Sequence, residues 1–187
     1  MSSRGRRAHA GGAVVRVAHT ADLDPRTLAT ARALLFDVFD DMTEADWEHA
    51  LGGVHAVAWE GDALVGHASV VQRRLLHAGR ALRTGYVEGV GVRADRRGRG
   101  HGTAMMDALE RVVRTAYDVG GLGATDEAAA FYASRGWVVW QGRLWALTPS
   151  GVRPTRDEEG AVYVLPLAAP LDLTGDLTCD WRDGDVW

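Results

Sequence analysis

The sequence predicts an α/β fold (α+β in the arrangement of its parts), with one mixed central sheet and helices on both of its faces. Three observations carry that expectation. Three consecutive β-rich runs, 54–59, 63–76 and 81–92, are separated by the turn Glu60-Gly61-Asp62 and by Gly79, which is the pattern of an antiparallel meander. Helix and strand patterns then alternate from residue 103 to residue 167, as they do where strands run parallel. Two helical stretches precede the meander. The tally is about seven strands flanked by about four helices.

Each element has a local reason. Residues 14–17 are a short β-rich run. Asp24-Pro25 reads as a cap followed by proline at the first helical position, and Leu28, Ala31, Leu35, Val38 and Phe39 recur at helical spacing behind it. Thr43-x-x-Asp46 resembles a capping box and starts a second helix. After the meander, Met105, Leu109, Val112, Val113 and Ala116 mark a long helix over 103–119, which Gly120 ends. Residues 121–125 follow as a strand. Asp126 is expected to cap a helix that runs to Arg135, with Gly136 closing it. Residues 137–147 and 161–167 complete the sheet, joined by the Pro- and charge-containing segment 149–160. The tail 171–187 shows little periodicity.

At 187 residues and 47% hydrophobic content, the chain has the material for one core, so a single domain over 13–187 is expected. Residues 1–12 carry Arg4, Arg6 and Arg7 among glycines, with no apolar stretch behind them, and read as a flexible leader rather than a secretory signal. A net charge of −4 argues against a nucleic-acid partner and permits a cationic one. No apolar run reaches membrane-spanning length. The one cysteine, Cys179, allows no intramolecular disulfide, which fits a reducing cytoplasm. No histidine pattern accompanies it, so an ordinary thiol is the favoured reading over a nucleophile. The seven histidines show no metal-ligand spacing, and no metal is expected.

The most informative stretch runs from Glu88 to Thr103 and contains Arg97-Gly98-Arg99-Gly100-His101-Gly102 between a strand and a helix. Glycines let backbone N–H groups approach a phosphate. The helix N-terminus adds its dipole and unpaired donors, and arginines add bidentate contacts. The lysine and hydroxyl of a Walker loop are missing, and the Rossmann glycine spacing is absent. Residues alone leave phosphate binding and a merely solvated basic turn evenly matched.

Arg97-x-x-Gly100-x-Gly102, in this position, resembles the pyrophosphate loop of the GNAT acetyltransferase superfamily over about residues 14–167. A closer resemblance is to the aminoglycoside 2'-N-acetyltransferases of actinobacteria. It rests on His19-Thr-Ala-Asp-Leu-Asp24, Asp46-Trp-Glu-His-Ala-Leu-Gly-Gly53, Val71-Gln-Arg-Arg-Leu75, Gly85-Tyr-Val-Glu-Gly-Val90, Tyr132-Ala-Ser-Arg-Gly-Trp137 and Cys179-Asp-Trp-Arg-Asp-Gly-Asp-Val-Trp187. The resemblance implies a GNAT fold, acetyl-coenzyme A as donor, an aminoglycoside as acceptor and a homodimer. It implies that Val90, Gly91, Val92, Arg97, Gly98, Arg99, Gly100, His101 and Gly102 hold the cofactor. Glu88 is then the water-mediated base and Tyr132 the acid at the leaving sulfur, with the backbone N–H near Val90 as oxyanion donor. Asp41, Glu88, Gly89, Gly123, Asp157, Glu158, Asp185 and Trp187 are implied to meet the substrate.

Acidic clusters at Asp40, Asp41, Glu44 and Asp46, at Asp157, Glu158 and Glu159, and at Asp180, Asp183 and Asp185 suit a polycation. Where the family can place a serine hydroxyl, Gly123 offers backbone only, and the first acidic loop is altered in length. An acetyltransferase for another cationic amine (a polyamine, cell-wall precursor or peptide) is the alternative. A domain that binds without chemistry is disfavoured by the presence of both Glu88 and Tyr132.

Overall fold

The computed structural model describes residues 14–187, so the expected leader lies outside the described residues. In chain order the elements are β1 (Val14–His19), α1 (Pro25–Val38), α2 (Glu44–His49), β2 (Val54–Glu60), β3 (Ala63–His77), β4 (Arg80–Val92) and α3 (His101–Ala116). They continue as β5 (Val119–Gly123), α4 (Asp126–Ser134), β6 (Val138–Val139), β7 (Leu144–Thr148), β8 (Gly151–Pro154), β9 (Val162–Pro166) and β10 (Leu177–Cys179).

Two helix starts follow from their caps. Asp24 accepts from the Thr27 N–H at 2.9 Å, ahead of Pro25. Thr43 and Asp46 form a reciprocal capping box at α2. At α4 the cap is Thr125, one residue earlier than expected, and its side chain makes no capping bond. Helix α3 starts at His101 rather than at residue 103 and stops at Ala116 rather than 119. Its end is set by Asp118, whose N–H donates to the Arg83 carbonyl and whose carboxylate accepts from the Arg83 N–H, both at 2.8 Å. That latch turns the chain into β5 before Gly120 is reached.

The sheet order is β6-β9-β5-β4-β3-β10-β7-β8, with β2 also on β3 and β1 on β2. Strand β3 is long enough to take two neighbours along one edge. Residues 63–70 pair with β2, and Leu75, Leu76 and His77 pair with β10. Strand β4 pairs with β3 along its length, and its other edge meets β5 in parallel only through Thr84, Gly85 and Tyr86. Beyond Tyr86 the two strands part, while Leu122 and Gly123 of β5 stay paired with β9. This opening in the sheet positions the site.

Alternation along β2 divides the core. Ala56 and Ala58 pack with Met105, Met106, Leu109 and Val113 of α3, while Val57 packs with Ala31 and Leu35 of α1 on the opposite face. A third cluster joins Leu75, Leu82, Tyr86, Trp140 and Leu144 to the terminal Trp187. Mixed pairing and helices on both faces agree with the expected class. The sheet has ten strands among the described residues rather than about seven, and the three additions are short. The expected strand over 137–147 divides into β6 and β7. Between them the Gln141 and Gly142 N–H groups donate to the Leu173 carbonyl at 2.9 Å, drawing the chain onto the tail. A Cβ at Gly142 would lie 1.9 Å from the Gly175 carbonyl oxygen, so the approach requires glycine. The joining segment contains the β8 edge strand, and the tail contains β10. Among the described residues no helix is long and apolar enough to cross a membrane.

Candidate active site

The β3–β4 ladder pairs His67 with Gly91 and then Ser69 with Glu88. Gly89 and Val90 therefore stand opposite Ala68 alone, which is a β-bulge. Gly89 has φ +55°, and a Cβ there would sit 2.9 Å from a Leu35 methyl, so both backbone and space select glycine. Neither flanking strand pairs with Val90 in register. The bulge and the parting of β4 from β5 open a cavity of ≈ 570 Å³. Its lining brings together Asp41, Glu88, Gly89, Val90, Gly123, Tyr132, Glu158, Asp185 and Trp187. Asp157 does not line it. In the 3-10 turn Arg156–Glu158, Glu158 is the acid that lines the cavity.

Glu88 is nearly enclosed, with 13% of its side chain exposed. Burial raises its carboxyl above the ordinary glutamate range, and the Arg182 guanidinium pulls it back part of the way. Arg182 is the residue that sequence reading missed. One of its nitrogens pairs with Glu88. The others donate to the Trp187 main-chain oxygen at 2.6 Å and to the Asp185 carbonyl at 2.7 Å. Arg73 anchors the same tail from β3, donating to the Asp180 carboxylate and to the Val186 carbonyl, both at 2.8 Å. Trp187 is 4% exposed, and its indole N–H donates to Thr155 Oγ1 at 2.8 Å. The two arginines lay within the segments that carry the resemblance. Only a buried ion pair between distant segments distinguishes them from surface charges, and a sequence does not display one.

Tyr132 is buried, and burial pushes its hydroxyl up to about 12. Cys179 is also buried, with its thiol pushed up to about 11, which makes it a poor nucleophile. Burial, then the neighbouring Asp185 and Asp157, raises Glu158.

The basic loop lies between β4 and α3. Gly98 and Gly100 have positive φ, and no atom occupies the space a Cβ would take at either. Gly100 caps the 16-residue α3 without a side-chain hydrogen bond. The first N–H groups of the helix are thus not claimed by a capping side chain. Arg97 Nε donates to the Val92 carbonyl at 3.2 Å, and Gly102 lies in the first helical turn. Arg99 is half exposed, 3.8 Å from Glu60. The His101 ring is committed to Glu60 at 2.8 Å, which leaves its backbone rather than its imidazole for an anion. A glycine-lined helix N-terminus beside an unpaired strand edge fits a pyrophosphate joined to an extended arm.

Residues 16–140 match the family model described as an acetyltransferase (GNAT) domain. The aminoglycoside 2'-N-acetyltransferase of Mycolicibacterium fortuitum is 52% identical over 177 residues, covering 92% of this chain and 91% of that protein. Among solved structures, the GNAT family N-acetyltransferase YhbS of Escherichia coli, in complex with CoA, has a TM-score of 0.61 at 19% identity, covering 94% of this chain and 93% of that one. Escherichia coli ElaA has a TM-score of 0.57 at 18% identity, covering 81% and 98%. The chain belongs to the GNAT acetyltransferase family and, within it, to the aminoglycoside 2'-N-acetyltransferases.

Proposed function

We propose that this enzyme transfers the acetyl group of acetyl-coenzyme A directly to the 2'-amino group of aminoglycoside antibiotics, and that this modification confers resistance to them. The observation that carries the reading is the convergence of Glu88, Glu158, Asp185 and Trp187 on the cavity that also holds Tyr132 and Val90. The three carboxylates among them suit a substrate with several ammonium groups.

The amine lone pair attacks the thioester carbonyl carbon, a C–N bond forms and the C–S bond breaks. Glu88 takes the amine proton through a water molecule. The Val90 N–H, which has no ladder partner in register, faces the charge that develops on the carbonyl oxygen. Tyr132 stabilises the leaving thiolate. A thiol has a pKa of about 8.5, well below the value of about 12 for this tyrosine, so a hydrogen bond is favoured over full proton transfer. Residues 97–102 hold the pyrophosphate through backbone N–H groups and arginine side chains. Direct transfer is supported by the enclosed, high-pKa Cys179, which is unsuited to carry the acetyl group.

A hydrogen bond to a charged group contributes about 1.5–3 kcal/mol, so Tyr132→Phe should lower kcat by about 10- to 100-fold with little change in aminoglycoside KM. Unchanged turnover would remove Tyr132 from the chemistry. Tobramycin and gentamicin should release thiol from acetyl-CoA, whereas kanamycin A, with a hydroxyl in place of the 2'-amine, should not. Comparable turnover of kanamycin A would defeat the regiochemistry. A polyamine or peptide that outperforms every aminoglycoside in the same assay would favour another cationic acceptor.

A further inference from the structure

A row of hydrogen bonds crosses the sheet and ends at the β4 bulge. Thr20 Oγ1 lies 2.7 Å from His55 Nε2, His55 Nδ1 lies 2.9 Å from His67 Nε2, and His67 Nδ1 lies 2.8 Å from the Gly89 carbonyl oxygen. Both imidazoles are 0% exposed. Burying two polar rings in a core that leucines could fill is costly unless their polarity is used.

The protons in this row can be assigned from its end. A carbonyl only accepts, so His67 Nδ1 carries a hydrogen. In a neutral ring Nε2 then accepts, so His55 Nδ1 donates to it. His55 Nε2 accepts in turn from the Thr20 hydroxyl, whose oxygen accepts the Gly52 N–H at 2.9 Å. The Thr20 hydroxyl also lies 3.2 Å from the Gly53 carbonyl, but that oxygen already accepts the Thr20 N–H at 2.9 Å, so the hydroxyl proton goes to the closer His55 Nε2. Burial lowers both imidazoles to about 4, which keeps them neutral under ordinary conditions. The last acceptor, the Gly89 carbonyl, belongs to the same peptide unit as the Val90 N–H. A donor on the oxygen fixes the plane of that peptide and polarises the N–H at its other end.

We infer that His67, backed by His55 and Thr20, is a positioning residue that orients the Gly89–Val90 peptide and strengthens the Val90 N–H as donor to the reacting carbonyl. The inference rests on the assignment of Val90 as the oxyanion donor. The ladder skips Gly89 and Val90 on the β3 side, and β5 has already parted on the other. Among the described residues the Gly89 carbonyl is therefore held by His67 at 2.8 Å, while the Ser69 hydroxyl reaches only the preceding Glu88 carbonyl, at 3.4 Å.

The test uses acetyl-CoA labelled with 13C at the carbonyl and bound to the enzyme without an acceptor, so it does not depend on which amine is acetylated. In the wild-type enzyme the carbonyl stretch should fall below that of free acetyl-CoA. In His67→Phe at least half of that shift should disappear. The same variant should lose about tenfold in kcat while both KM values stay within about twofold. His67→Asn, which offers an N–H near the Nδ1 position, should recover much of both. A carbonyl shift that persists in His67→Phe overturns the inference and leaves the Val90 assignment standing. No shift in the wild type overturns both. If His67→Phe does not fold, 15N spectra of histidine-labelled wild-type enzyme decide: a proton on Nδ1 of both rings supports the inference, and a proton on Nε2 of His67 overturns it.

Discussion

Glu88→Gln should lower kcat by about 10²- to 10⁴-fold at neutral pH, the range in which general bases contribute. The substitution keeps the volume of the side chain and one acceptor toward Arg182, so the fold and the tail contacts should survive. What is lost is a group that can take a proton. The pH profile gives a second check. Burial raises the Glu88 carboxyl above the ordinary glutamate range, so more of it is protonated as pH falls than at an exposed glutamate. The acid limb of the kcat/KM profile should therefore lie above that range in the wild type. The residual activity of Glu88→Gln should lack the limb altogether. A residual profile that kept it would assign the limb to another group.

Arg182→Ala should cost about 10- to 100-fold in kcat/KM at pH 7, because an adjacent opposite charge lowers a carboxyl pKa by about 1–3 units and that lowering is lost. The sign follows from the causes of the Glu88 shift. Burial raises its pKa and Arg182 opposes that rise, so removing the guanidinium lets it climb further. A larger share of Glu88 is then protonated at pH 7 and unable to act as base. The defect should shrink as pH is raised, whereas that of Glu88→Gln should not. Part of the loss should remain, because Arg182 also ties down the Trp187 and Asp185 main-chain oxygens. Arg182→Lys should recover little, since one ammonium cannot span three acceptors as the planar guanidinium does. A defect independent of pH would mean that Arg182 acts on the tail alone.

The fold was largely legible because its signals are local and periodic. Asp24-Pro25, the Thr43–Asp46 box and the apolar spacing of α3 each declare an element without reference to the rest of the chain. The departures arise where long-range contacts decide. The three residues of β10 are too few for any periodicity, and their place between β3 and β7 depends on pairing partners about a hundred residues earlier and about thirty residues earlier. Gly120 predicts the end of α3, whereas the Asp118–Arg83 latch acts first. The site was legible through resemblance more than through chemistry. Glu88 and Tyr132 look like ordinary strand and helix residues until β4 and β5 part around them. Arg182, His55 and His67 were invisible as a group because their partners lie on other strands and in the tail.

If the proposed function holds, the 2'-nitrogen of an aminoglycoside accepts the acetyl group. Tobramycin should be incubated with acetyl-CoA and the purified enzyme, and the product examined by mass spectrometry and two-dimensional NMR. The product should carry one added acetyl group, located on the 2'-nitrogen, with one equivalent of thiol released for each product formed. An acetyl group at any other position, or no product while a different amine is acetylated readily, would contradict it.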